Sequence, residues 1–568
     1  MAERQRELVH PLQVVDKDES RLEWDEDPTW LAEMAHWIEY QQFATGSDLA
    51  SIATEERELV AAEIKAAWRD YRNPIVRLGV RALRCLNPIL RGAPPELKAS
   101  IERPVEDLRA KVGIRFTHDR PSRSEVIDAI ERVLHEAALW LTCQPSEKTQ
   151  SLLGPLNFVQ RLREEIDERA HVDYSTAVYA EGMQSPCNAV RVDPVLSTST
   201  DAGQAEDTQA HIISAGIATL MTADLRIVVY GEDVGHIGGV LGSTLGLQKG
   251  RSGIKDIRKD APAIARYMPE YGFGEERVWD HGIAENAIVG TAVGMSLRGL
   301  LPIAEIQFLD YLVWALQQIV DEVASLRHRT DGGQACPMLI RTPGHREMGM
   351  WHSGSPLGMV LSSCPGLRVL VPRNGVQAVA MYRAVLASGD PALSVEPLAR
   401  MRLKETVPEN LDEICLPLGQ SEILRHGTDV TIVTYGFCCE VAIEAAANLA
   451  LRGIEVEVVD LQTLNPLDLN RVAEESIKRT GAALFLDEDI PEGATAIIAK
   501  ALMFDRGLFW DDEKPEFVTA PHHKPPYGTD GKFFTKPQAR DVIAAVLRMK
   551  VVVHNASKRR GKAIATLL

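Results

Sequence analysis

The chain has 568 residues, 45% of them hydrophobic and 25% charged, which is more than one core organises and points to two or three globular domains. Its formal charge of -18 argues against a broad nucleic-acid footprint, because binding to phosphates needs a basic face. No apolar run is long enough to span a bilayer, and the charged opening Met1-Ala2-Glu3-Arg4-Gln5 has no signal core, so a cytoplasmic protein without a membrane partner is expected.

The first part of the chain, residues 1–205, reads as helices joined by loops and ending in a linker. Asp27-Pro28 has the form of a cap and a first-turn proline, after which Trp30, Leu31, Met34, Trp37 and Ile38 share one helical face. A second helix is expected from Thr54 to Tyr71, and the Ser-, Thr-, Asp- and Pro-containing stretch from Ser185 to Thr208 reads as the linker. The pattern then alternates helix and strand, the mark of a mostly parallel α/β sheet with crossover helices. Strands are expected at Arg226–Tyr230, Arg277–Asp280, Leu301–Ile306, Met338–Arg341, Leu367–Val371 and Ala392–Glu396, which fill a domain over 206–400. Leu398 to Leu418 reads as a connection. A second α/β domain over 415–552 follows, with strands at Val430–Tyr435, Ile454–Leu461, Ala483–Leu486 and Phe517–Thr519. Residues 553–568, with Lys558-Arg559-Arg560-Gly561-Lys562, read as a solvated basic tail.

The eight cysteines, Cys85, Cys143, Cys187, Cys336, Cys364, Cys415, Cys438 and Cys439, lack the paired spacing of zinc or redox motifs and read as reduced, mostly buried thiols. Adjacent Cys438 and Cys439 read as small apolar residues after a strand. The Gly-rich stretch Gly235 to Gly250 lacks the order of a phosphate loop. His522-His523 has no carboxylate or cysteine to complete a ligand set, so no metal site is expected.

Chemistry concentrates around Glu285. It closes the run Asp280-His281-Gly282-Ile283-Ala284-Glu285, after a strand that ends in Gly231-Glu232-Asp233-Val234 and before Leu301-Pro302-Ile303-Ala304-Glu305-Ile306-Gln307-Phe308 with Asp310-Tyr311. From Asp224 to Leu547 this succession resembles the beta subunit of the decarboxylating component of 2-oxo acid dehydrogenase complexes. The resemblance implies a transketolase-like pyrimidine-binding domain and a transketolase C-terminal-like domain, using thiamine diphosphate. It casts Glu285 as the carboxylate that hydrogen-bonds the aminopyrimidine; from the residues alone, Glu285 is also a helix-start residue favoured by the macrodipole. Gly290 and Gly294, with Ala287 and Ala292, describe a tightly packed helix start beside a ligand.

By the same resemblance Tyr311 stacks on the aminopyrimidine, and Phe308, Ile283 and Glu232 complete the cofactor-binding set. Phe308, at a strand end, also reads as a core aromatic. Trp351-His352-Ser353-Gly354-Ser355-Pro356 resembles the family's His-Ser-Gln-Ser loop, which makes His352 the proton-handling residue, with an imidazole suited to that work near neutral pH. Two positions depart from the pattern: Gly354 replaces Gln and Leu357 replaces Glu. The stretch from Lys249 to Tyr271 is longer than the family pattern and reads as a surface insertion.

The family's magnesium-binding Gly-Asp-Gly motif does not occur in this sequence. The cofactor is therefore expected to be shared with an alpha-type subunit that carries the diphosphate-binding domain and the magnesium. A lipoyl acyltransferase component and a beta-beta contact are the other expected partners. The N-terminal segments Asp27-Pro28-Thr29-Trp30-Leu31 and Gly46-Ser47-Asp48-Leu49 resemble the helical tail of the alpha chain, or serve as an assembly arm. Wording around Tyr311 leans toward the branched-chain type. The alternatives are another transketolase-superfamily enzyme and a non-catalytic beta-like scaffold or regulatory subunit.

Overall fold

The computed structural model describes residues 29–113, 121–143, 150–197, 205–253, 263–345, 351–508, 514–549 and 552. They form two compact units that divide between Tyr174 and Ser175. The basic tail, Asp27-Pro28 and the middle of the insertion lie outside the described residues.

The first unit contains α1 (Thr29–Tyr40), α2 (Gly46–Gly92), α3 (Pro95–Gly113), α4 (Arg123–Thr142) and α5 (Gln150–Ser175). A capping box starts α2: the Thr45 side chain accepts the Asp48 N–H, and the Asp48 carboxylate accepts the Thr45 N–H. The helix expected from Thr54 to Tyr71 continues for 47 residues, through Pro74 and Pro88. Each interior proline removes a backbone donor and costs about 3 kcal/mol. Burial of Ile75, together with that of Leu83, Leu86, Ile89 and Leu90 against α3, α4 and α5, contributes roughly 1.5–3 kcal/mol per side chain and outweighs that penalty. The apolar face expected on α1 is not buried within this unit, since Leu31, Met34 and Trp37 are half exposed.

The second unit holds two parallel-rich sheets. Every strand expected from the sequence is present, and Ala483–Leu486 matches to the residue. The first sheet contains β2 (Ile227–Gly231), β3 (Val278–Asp280), β4 (Leu301–Glu305), β5 (Leu339–Gly344), β6 (Arg368–Leu370), β7 (Ala392–Pro397) and β12 (Thr463–Asn465), in the order β12-β6-β7-β5-β4-β2-β3. All of its pairs are parallel except β12 with β6. The second sheet orders β14 (Glu516–Val518), β13 (Ala483–Leu486), β10 (Val430–Thr434), β11 (Val456–Asp460) and β9 (Glu422–Arg425), with β9 antiparallel to β11. Helices α6 (Gln209–Ala223), α7 (Glu285–Leu297), α8 (Leu357–Ser363) and α9 (Gly375–Leu386) flank the first sheet, and α10 (Cys438–Ala450), α11 (Val472–Thr480) and α12 (Ala539–Arg548) the second. Gly216 lets α6 approach α9, because a Cβ there would overlap Val379.

Residues read as linker and connection are built into this unit. β1 (Glu206–Thr208) pairs antiparallel with β8 (Lys404–Thr406). The Val192 and Cys415 backbones exchange hydrogen bonds of 2.9 and 3.0 Å, and the Glu409 N–H donates to Val195 O at 2.8 Å. Tertiary pairing orders these stretches although their side chains show no period. The described end of the insertion also docks: Ile264 and Met268 are buried, and the Tyr267 hydroxyl donates to Pro408 O at 2.8 Å. Among the cysteines, Cys336, Cys364, Cys438 and Cys439 are buried, and all eight are free. No helix among the described residues is long and apolar enough to cross a membrane.

Candidate active site

The candidate residues lie where β2, β3 and β4 end at their carboxyl edge, the usual place for a ligand in an open parallel sheet. Glu232 and Asp233 follow β2, Glu285 opens α7 just after β3, and Phe308 leads into the turn after β4. Asp233 sits at φ 61°, and Gln307 Nε2 donates to its carboxylate at 3.1 Å. The start of α7 is held from below by the Tyr230 hydroxyl, which donates to Ile288 O at 2.6 Å while the Tyr230 ring stacks on Trp279 at 4.7 Å.

Phe308, Tyr311 and His352 converge. The Phe308 ring stacks on the His352 imidazole with centroids 4.1 Å apart, and Tyr311 meets the same imidazole edge-on at 5.2 Å. Phe308 is half-buried rather than a core residue, because its face is taken by His352 instead of the sheet interior. His352 adopts φ 62°, a left-handed conformation that costs a non-glycine residue on the order of 1–3 kcal/mol. Its Nδ1 is buried with no hydrogen-bond partner among the described residues.

Glu285 is near enough to act on its neighbours through its charge. Burial, then Asp233 and Glu285, raise the Glu232 carboxyl above the ordinary range. Burial, then Asp310, Glu285 and Glu232, raise the Tyr311 phenol. Of the predicted set, Ile283 stands apart: it is 78% exposed. The glycines expected to pack tightly do not, for a Cβ at Gly290 or Gly294 would meet nothing within 4 Å. Ile288, Val289 and Ala292 form the buried side of α7, so the glycine side faces outward from this chain.

The Gly-rich stretch after Asp233 is shaped by backbone demands, with Gly238, Gly239, Gly242, Gly246 and Gly250 all at positive φ. Asp280 anchors it by accepting the N–H groups of Gly235 at 2.7 Å and His236 at 3.0 Å. The departure at Leu357 is a core residue: it opens α8 and is fully buried. His522 Nδ1 pairs with Glu492 at 2.6 Å, and no group able to hold a metal ion occurs among the described residues.

Sequence reasoning missed a second cluster behind the histidine loop. His345 Nδ1 lies 3.3 Å from Ser355 Oγ, and its ring is 5.6 Å from that of Tyr435. Beneath it, burial and the neighbouring Asp487 push the Asp489 carboxyl up to about 6. A carboxyl raised in the folded state keeps its proton longer than in the unfolded chain, so its contribution to stability is lost as pH rises from about 4 to about 6. Asp489→Asn should remove that dependence and add on the order of 1–3 kcal/mol at pH 8. Urea unfolding at pH 5 and pH 8 checks this: an equal pH slope in both proteins would contradict it.

The transketolase pyrimidine-binding domain matches residues 208–402, and the transketolase C-terminal domain matches residues 419–541. The 2-oxoisovalerate dehydrogenase subunit beta of Bacillus subtilis (strain 168) is 36% identical over 293 residues, which are 50% of this chain and 82% of the relative. This chain belongs to the beta subunits of the 2-oxo acid dehydrogenases. The pyruvate dehydrogenase E1 component subunit beta of Acholeplasma laidlawii is 31% identical over 344 residues, covering 60% of this beta subunit and 97% of the relative. That of Bacillus subtilis (strain 168) is 30% identical over 342 residues, with coverage of 60% and 97%. Family membership brings dependence on thiamine diphosphate and an alpha partner. The helical unit up to Tyr174 lies outside both matched domains of this beta subunit.

Proposed function

We propose that Glu285, Glu232, Phe308, Tyr311 and His352 form the pyrimidine half of a thiamine diphosphate site in a 2-oxo acid dehydrogenase, completed by an alpha-type chain. The observation that carries this reading is the meeting of Phe308, Tyr311 and His352 within range of the Glu285 charge. The donor set fits an aminopyrimidine: a carboxylate for its ring nitrogen, an aromatic face beside it, and a buried imidazole nitrogen without a partner among the described residues. When bound, thiamine diphosphate supplies the carbon nucleophile and electron sink for decarboxylation. Glu285 would hold a hydrogen bond at the pyrimidine, Phe308 and Tyr311 would shield it from water, and His352 would present or take a proton at the 2-oxo acid and at the lipoyl group.

The alpha-type chain would bring the diphosphate-binding domain and magnesium to the outward side of α7. That side carries Ile283, Gly290 and Gly294, and Trp314 nearby in sequence is 71% exposed. A beta-beta contact and reductive acylation of a lipoyl-lysine on an acyltransferase core complete the reading.

The test combines the purified full chain, alone and with an alpha-type chain, with thiamine diphosphate, magnesium and a 2-oxo acid. Decarboxylation is expected only in the mixture, and Trp314→Ala should weaken assembly by about tenfold. Turnover by the chain alone would contradict the shared site. Assembly with no cofactor binding would favour the scaffold reading.

A further inference from the structure

We infer that Lys524, in the C-terminal domain, is a positioning residue that sets the conformation of the His352 loop through Asp310. The inference rests on the assignment of His352 and Tyr311 to the site. Lys524 Nζ contacts both oxygens of the Asp310 carboxylate, at 2.8 and 2.9 Å, across 214 residues of sequence. Asp310 directly precedes Tyr311, and its side chain is 19% exposed.

Gly354 makes the pair possible. A Cβ at this position would overlap Asp310 Oδ1 and lie 2.7 Å from Lys524 Nζ. The carboxylate therefore rests against the bare backbone of the histidine loop, and the lysine covers it from the other domain. The family's Gln at this position would displace the carboxylate, so the departure at Gly354 and the Asp310–Lys524 pair belong to one arrangement.

The residues that follow Gly354 are held just as closely. A Cβ on Gly358 would come within 3.0 Å of the Gly493 backbone, and Ser355 contacts His345. His352 needs such support, because its left-handed backbone persists only where the surroundings over-determine it. One ion pair thus touches both partners of the Tyr311–His352 contact: Tyr311 through its neighbour Asp310, and His352 through Gly354.

A half-exposed ion pair contributes little to global stability. Its loss should appear in the geometry of the site. In the full chain assembled with its alpha partner, Lys524→Met and Gly354→Ala should each lower kcat about tenfold, since small misplacements of catalytic groups are costly. KM for the 2-oxo acid and the thermal midpoint should stay unchanged, and Lys524→Arg should restore most of the rate. The double variant Lys524→Met/Gly354→Ala should be no slower than Gly354→Ala, because both changes break one pair.

A readout independent of turnover is the emission of Trp351, obtained by difference against Trp351→Phe in the chain alone; it should shift in Lys524→Met and in Gly354→Ala. Wild-type kcat and wild-type emission in Lys524→Met, or additive losses in the double variant, would overturn the inference. His352→Ala separates the two levels. If it retains full turnover, the site assignment and the positioning role both fail; if it is inactive while Lys524→Met is normal, only the positioning role fails.

Discussion

Glu285→Gln should reduce decarboxylation by the assembled enzyme by about 10²–10⁴-fold, the usual contribution of a placed proton-handling group, while leaving the fold intact. The amide keeps the shape and the place at the start of α7. It cannot share a proton as the carboxylate does. Because Glu285 is incompletely buried and opens the helix without capping it, the thermal midpoint should move little. The substitution also removes one of the charges that raise Glu232 and Tyr311, so both groups should titrate lower in the variant. Steady-state rates and a thermal melt on the same preparations check the prediction, and near-normal turnover would remove Glu285 from its role.

The largest stability effect is expected at Arg341. Its guanidinium is fully buried, donates to both oxygens of Glu396 at 2.8 and 2.7 Å, and pairs with Glu305 on the neighbouring strand β4. The Tyr382 hydroxyl donates to the same Glu396. Burial raises the Glu305 carboxyl to about 7 even with Arg341 beside it, and Glu396 adds to the rise. Arg341→Met should therefore cost about 3–5 kcal/mol, because two buried carboxylates lose their only cation among the described residues.

The loss should depend on pH. Without the cation Glu305, already raised by burial, holds its proton more tightly still in the folded state than in the unfolded chain, so stability falls further as pH rises through and beyond 7. Denaturant curves of both proteins at pH 5.5 and pH 8 check this, with the gap expected to widen at the higher pH. A constant gap would mean the carboxylates had found other partners. Since Gln307, two residues beyond Glu305, holds Asp233, activity should decline with stability.

The parallel strands were legible because they are buried on both faces and read as short apolar runs such as Arg226–Tyr230 and Val430–Tyr435. β1, β8, β9 and β12 were not, being edge pieces of three or four residues whose pairing comes from the fold rather than from a local pattern. Asn73-Pro74 hid the length of α2, since the core that carries the helix past its prolines comes from residues further along. Of the proposed site, Glu285, Phe308, Tyr311 and His352 are candidates that their motifs suggest. Lys524 could not: nothing near it in sequence announces Asp310. Gly354 was visible only as an irregularity, and the space it leaves for a carboxylate is a fact of three dimensions.

β12 comes from the second α/β segment yet completes the first sheet, pairing Thr463 with Leu370 and Asn465 with Val369. One continuous core likewise joins Tyr230, Ile340 and Leu357 to Tyr435, Phe485 and Leu502. The two domains are therefore not interchangeable cassettes. A chimera joined near Leu418 would import its donor's edge strand along with the C-terminal domain, and exchange between relatives should succeed only where that strand and its bed travel together.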